Sequence, residues 1–207
     1  MDTALPVPNW RTSCTGHRNH ALSRSTPYSQ LNQAGAAGSV RSVERVLVSA
    51  CLLGRPVRYD GRSKPVHAEI LDRWREEGRL VPYCPEVGGG LPVPRPAAEI
   101  SGTGGGEGVL NGTARVVTGS GEDVTDAFLR GAHQALETAR RFGVRVAVLK
   151  EFSPSCGVTQ INDGTFTRRR TPGIGVTTAL LERHGIRVFP ETDLDNAAAY
   201  LDSLPAH

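Results

Sequence analysis

The sequence predicts an α/β protein of Rossmann-like character, a mainly parallel sheet with helices on both faces in a single domain. Three observations lead there. Short β-branched apolar runs alternate along the chain with segments of helical period. Those runs are apolar almost throughout instead of alternating with polar residues, the pattern of strands buried on both faces. A length of 207 residues with 38% hydrophobic side chains suits one compact domain with an appendage.

Residues 1–42 are rich in Ser, Thr, Pro, Asn, Gln and Gly, and their few apolar residues follow no period, so a disordered N-terminal extension is expected. An organelle transit peptide is set aside because the amphipathic stretch is missing. An optional extension is preferred, with Val40 or Val43 as an alternative beginning. Residues 43–207 form the expected domain.

The first strand is Arg45-Val-Leu-Val-Ser-Ala50, ended by Cys51 and the Leu53-Gly54 turn. After a loop to Pro65, His67, Ile70, Leu71 and Trp74 recur at helical spacing, with Gly78 as the stop. Arg79-Leu-Val-Pro-Tyr83 is the second strand and delivers Cys84. Residues 87–111 hold two triple-glycine runs and three prolines, and a long functional loop without regular structure is expected. Ala114-Arg-Val-Val117 is a strand. Val124, Phe128, Ala132, Ala135 and Ala139 mark a long helix closed by Gly143, and Val144-Arg-Val-Ala-Val-Leu149 is the clearest strand. A turn through Ser153-Pro-Ser-Cys-Gly157 follows, then a hairpin at Asn162-Asp-Gly164, a helix near Thr177 to His184, the strand Ile186–Phe189, and a helix from about Asp193.

Charge and hydropathy narrow the function classes. No run approaches the roughly 18 apolar residues of a membrane span, and the N-terminus lacks the order of a secretory signal, so a cytoplasmic protein without membrane partners is expected. Residues 1–42 carry Arg11, Arg18, Arg24 and Arg41 against Asp2, which is the whole of the net +3. The domain is therefore neutral and carries no footprint for a phosphate backbone, so no nucleic-acid partner is expected. The run Arg168-Arg169-Arg170 is read as a solvated strand end or turn.

Four cysteines are too few and too far apart for a disulfide scaffold. Cys14 lies in the extension. Cys51, Cys84 and Cys156 each follow a strand, and in an open parallel sheet the C-terminal strand ends share one ligand-binding edge, so three thiols meet there. Each alone would be an inert small hydrophobe. Together, embedded in Gly and Pro turns whose amides can face sulfur, they suit cluster ligation. No Cys-x-x-Cys pair marks a zinc ribbon. Three soft thiolates with no placed fourth fit a [4Fe-4S] cluster with one iron free of cysteine. A zinc site on the three cysteines, completed by His67 or His133, is the metal alternative. A metal-free thiol redox enzyme would need two cysteines in mutual reach.

The segments Val48-Ser-Ala-Cys-Leu-Leu-Gly54 with Val57-Arg-Tyr-Asp-Gly61, Cys84-Pro-Glu-Val-Gly-Gly-Gly-Leu-Pro92, Leu149-Lys-Glu-Phe-Ser-Pro-Ser-Cys-Gly157, and Asp163-Gly-Thr-Phe166 with Gly173-Ile-Gly-Val176 resemble the bacterial thiouracil desulfidase family. The resemblance covers about residues 44–200. It implies a Rossmann-like domain holding an oxygen-sensitive [4Fe-4S] cluster on Cys51, Cys84 and Cys156, which removes sulfur from a thiolated pyrimidine without net redox change. It further implies Glu86 as catalytic acid/base and Ser153 as its partner. The open iron would activate the soft thiocarbonyl, Glu86 would take the proton of the attacking water, and hydrosulfide would leave. Two weaker substrate-binding candidates come from the residues themselves. Asp60, in Arg58-Tyr-Asp-Gly61, offers an acceptor for a ring N–H. Lys150 is one of two lysines in the chain, with Lys64, and both flank the cysteine loops. The rival class is a non-enzymatic iron-sulfur or zinc-binding sensor or sulfur carrier.

Overall fold

The computed structural model describes residues 43–205. Four strands, β1 (Val46–Ser49), β2 (Leu80–Tyr83), β5 (Val146–Leu149) and β8 (Arg187–Pro190), form one parallel sheet in the order β2-β1-β5-β8. β1 and β5 are buried along their whole length. Their alternate residues feed two cores. Leu47, Ala147 and Leu149 face α4 (Thr125–Arg141) and α5 (Val176–Arg183), among Phe128, Ala132, Leu136, Leu180 and Leu181. Val46, Val48, Val146 and Val148 face α1 (Glu69–Glu76) and α6 (Leu194–Ser203), among Leu71, Trp74, Ala197 and Leu201. Helices thus cover both faces, which is why the strands read as continuous apolar runs. Among the described residues no helix is long and apolar enough to cross a membrane.

Two antiparallel ribbons are added to this frame. β3 (Ala98–Gly102) pairs with β4 (Ala114–Thr118), Glu99 opposite Val117, and β6 (Gln160–Asn162) pairs with β7 (Arg170–Pro172). The expected strand at 114–117 therefore belongs to a ribbon outside the main sheet.

The loop expected over 87–111 is a correction. The stretch contains β3 and α3 (Gly105–Leu110), and α2 (Pro85–Gly88) runs into it. Its glycines serve close packing. A Cβ on Gly106 would fall well under 3.0 Å from the Gly175 carbonyl oxygen, and one on Gly89 would do the same at that of Ala127, so tertiary contact overrides weak helix propensity here. His67 lies before α1 instead of within it. The expectations for residues 1–42, Cys14 among them, lie outside the described residues.

Candidate active site

β1 runs into a 3-10 turn, Ala50–Leu53, whose second residue is Cys51; Gly54 closes it in the left-handed region at φ 88°. β2 ends at Cys84, and Pro85 starts α2 with the fixed φ that suits a first helical position. α2 is pressed on α4 through glycines: a Cβ on Gly131 would overlap the Pro85 oxygen. β5 leads to the turn 153–157. There the Ser153 hydroxyl accepts the amides of Ser155 (3.1 Å) and Cys156 (3.2 Å), and the Gly157 amide reaches the Ser153 carbonyl at 2.8 Å. The start of α5 seals this turn, with Thr178 Oγ1 donating to the Cys156 carbonyl at 3.1 Å and the Gly175 amide to the Gly157 carbonyl at 2.8 Å.

Glu151, only 4% exposed, clamps the far side of that turn. Its carboxylate accepts the amides of Val158 (2.6 Å) and Thr159 (2.9 Å) and the Thr159 hydroxyl. A buried carboxylate that collects this many donors is a structural anchor for the loop.

Cys51, Cys84 and Cys156 all line one cavity of about 540 Å³ at the C-terminal edge of the sheet, together with Glu86, Ser153 and Lys150. Asp60 is not in its lining. It is exposed, accepts the Arg62 amide at 3.1 Å and pairs with Arg58 at 3.5 Å, as a turn residue does. Lys150 is engaged, with its Nζ on Glu191 and on the Glu151 carbonyl at 3.1 Å.

Glu86 sits between two partners. Arg95 Nε donates to its Oε2 at 2.8 Å, with a second guanidinium nitrogen at 2.7 Å, while Ser153 Oγ donates to its Oε1 at 3.3 Å. Arg95 is itself fixed on the carbonyls of Pro92 and Val57, both at 3.1 Å. One carboxylate oxygen is thus committed to a buried cation and the other faces the cavity beside the serine hydroxyl.

The thiols form a coupled set. Burial foremost, then the neighbouring Cys84, pushes Cys51 up to about 11, against the pull of Arg58 and Lys150. Burial raises Cys84, and the amide of Val87 opposes it. Buried Cys156 is raised by desolvation, with Ser49 opposing and Cys84, Glu86 and Cys51 adding. Such thiols give up their protons to a bound cationic centre. The cavity lining contains no histidine, and His67 and His133 are both exposed outside it. Among the described residues no three His, Cys, Asp or Glu side chains gather around a point suited to a single metal ion. A zinc centre of three cysteines and one histidine is therefore not built. Three thiols spread around one cavity whose lining has no histidine fit a [4Fe-4S] cluster held by three thiolates.

The model of the 2-thiouracil desulfurase family matches residues 46–193. The chain belongs to the 2-thiouracil desulfurase family. Its relatives include uncharacterized protein YbbK of Bacillus subtilis (strain 168), 45% identical over 151 residues, which is 73% of this chain and 98% of that protein. A solved structure described as the [4Fe-4S]-dependent thiouracil desulfidase TudS is 49% identical, with a TM-score of 0.72, over 78% of this chain and all of that one.

Three charged residues that sequence reasoning passed over, Arg95, Glu99 and Glu151, also line the cavity in this member of the family. Arg168 and Arg170 are exposed, as expected of a solvated strand end or turn, and also border the cavity, where the Arg170 guanidinium lies 3.5 Å from the centre of the Phe152 ring. Phe152, Phe166 and Arg168 are the non-glycine residues with positive φ among the described residues, at 66°, 59° and 64°, and all three face this cavity. Left-handed backbone at such residues is costly and collects at functional sites.

Proposed function

We propose that this chain is a [4Fe-4S]-dependent desulfidase that converts a thiolated pyrimidine and water into the oxygenated base and hydrosulfide, with no net electron transfer. What carries the reading is the joint placement of the three thiols and the Glu86–Ser153 pair on one cavity. Family membership and the TudS-like neighbour support the same chemistry.

In this proposal Cys51, Cys84 and Cys156 hold the cluster. When bound, a cluster with one iron free of cysteine supplies a soft Lewis-acidic position for sulfur. Glu86 accepts a proton from the water that attacks the thiocarbonyl carbon, and Oε1, held by the Ser153 hydroxyl and by no cation, is the oxygen available for that task. Ser153 Oγ, whose acceptor side is taken by two amides, holds its proton toward Glu86 and orients the carboxylate or relays the proton. The C–S bond breaks as the new C–O bond becomes a carbonyl, and the proton held on Glu86 leaves with the sulfur or returns to solvent. The cavity volume of about 540 Å³ lies in the range of small-molecule sites and has to hold the cluster as well as the base.

The test begins with anaerobic purification. Brown protein with iron and acid-labile sulfide in equal amount, bleached by Ala at Cys51, Cys84 or Cys156, is the expected result. Single-turnover release of hydrosulfide from thiouracil should then fall about a hundred- to ten-thousand-fold in Glu86→Gln at unchanged iron content. Colourless, zinc-loaded protein would overturn the cofactor. A brown protein inert toward a panel of thiolated bases would leave a sensor or sulfur carrier instead.

A further inference from the structure

Glu99 is buried, 6% exposed, yet none of the ion pairs among the described residues includes it. It stands on β3, where side chains alternate: Ile100 enters the apolar core, and Glu99 turns to the other side and lines the cavity. Its Oε2 accepts the amide of Phe166 at 3.0 Å. That amide is presented by a left-handed residue, φ 59°, in the segment between β6 and β7. Oε1 accepts no hydrogen bond from the described residues. Among these residues no buried side-chain oxygen or nitrogen lacks a partner, so Oε1 is open to the cavity. A mostly buried carboxylate with one amide on Oε2, no cation, and Oε1 open to the cavity keeps a vacant acceptor position there, which a ligand that brings a donor can fill.

We propose that Glu99 is the specificity-determining residue of this site, accepting a ring N–H of the substrate and selecting thiolactam rings, –NH–C(=S)–, over rings that lack this donor. The inference rests on the desulfidase reading and adds the recognition group to it. Glu99 comes from the β3–β4 ribbon, whereas the three cysteines come from the ends of sheet strands. Recognition and sulfur chemistry are thus supplied by different parts of the fold. An acceptor aimed at the ring rewards the N–H and penalises its absence, because the carboxylate is then buried with nothing to replace water.

The test compares 4-thiouracil with 3-methyl-4-thiouracil, in which N–CH3 replaces the ring N–H beside the thiocarbonyl and the thione is kept. In Glu99→Gln the single amide oxygen stays with the Phe166 amide, and the NH2 faces the cavity, donor against donor. The expected loss of kcat/KM on 4-thiouracil is about a hundred-fold, while the 3-methyl compound changes by less than about threefold. The comparison of ratios cancels the intrinsic reactivity of the two rings, and a merely structural defect lowers both alike. An unchanged ratio overturns the role of Glu99 and leaves the desulfidase reading standing. If the wild type releases hydrosulfide from neither compound, the desulfidase reading fails and the inference falls with it. A readout on the wild-type holoprotein needs no variant: uracil should raise the thermal midpoint at concentrations at least tenfold below those required of 3-methyluracil. Equal responses would count against the proposal.

Discussion

Arg95 sets the state in which Glu86 meets a substrate. Its side chain is 4% exposed, and its guanidinium spans the Glu86 carboxylate and the Val57 and Pro92 carbonyls at once. The Val57 carbonyl also accepts the Cys84 thiol at 3.8 Å, so one backbone oxygen ties the base's anchor to a cysteine. A lysine keeps the charge but not the planar fork, since an ammonium is a compact point charge that cannot reach three acceptors in fixed directions. Arg95→Lys should therefore lower kcat about ten- to a hundred-fold, roughly 1.4 to 3 kcal/mol of barrier, with KM within a fewfold of wild type and iron content unchanged. Kinetics on cluster-matched samples decide it. A rise in KM at constant kcat would mean that Arg95 binds substrate instead of orienting the carboxylate.

At the scale of elements, the position of Cys84 and Glu86 depends on how closely α2 sits on α4. In an isolated helix Gly131→Ala would gain about 1 kcal/mol. Here the added Cβ would overlap the Pro85 oxygen, a backbone atom that cannot move without carrying Cys84 and Glu86 with it. The clash decides the sign, and a net loss of about 1 to 3 kcal/mol is expected. The thermal midpoint should drop by several degrees and iron content with it; an unchanged midpoint would show that α2 shifts freely. The same contact explains what the sequence left unread. Strands such as Val46–Ser49 and Val146–Leu149 declare themselves because burial on both faces leaves continuous apolar runs, and the cysteines at their ends could be grouped from topology alone. The glycine runs of 87–111 carry no such mark: a glycine that permits close packing and one that frees a loop look alike in sequence. Arg95, Glu99 and Glu151 were missed for a related reason. Each is a single charged residue whose meaning arises from burial, and only its apolar neighbours, as in Pro94-Arg95-Pro96 and Ala97-Ala-Glu-Ile100, hinted that it would be enclosed. Asp60 shows the converse, since Asp-Gly was ordinary turn chemistry in the fold as well.

Across the molecule, the chain leaves β1 toward β2 on one side and its neighbour β5 lies on the other, so the cavity opens where strand order reverses, the usual ligand position of open α/β sheets. The sheet's strand ends contribute the cysteines. The two ribbons contribute Glu99, Asn162 and Arg170 to the same lining. Every part of this arrangement lies between Ser49 and Arg170, and the two cores that support it draw on residues from Val46 to Leu204. The family match begins at residue 46, and the compared relatives are covered over 98% and 100% of their lengths by 73% and 78% of this chain. Nearly the whole length of both thus aligns with only part of this chain. Residues 1–42, with four arginines against one aspartate and no apolar period, bring no amphipathic face that a core would require. A chain begun at Val43 behind an added initiator Met should keep its thermal midpoint within about 2 °C, a change of under roughly 1 kcal/mol for a domain of this size, and should retain full iron and sulfide content and full hydrosulfide release. Measured side by side under anaerobic conditions, a midpoint lower by more than that, or lost iron, would show that the N-terminal segment stabilises the domain.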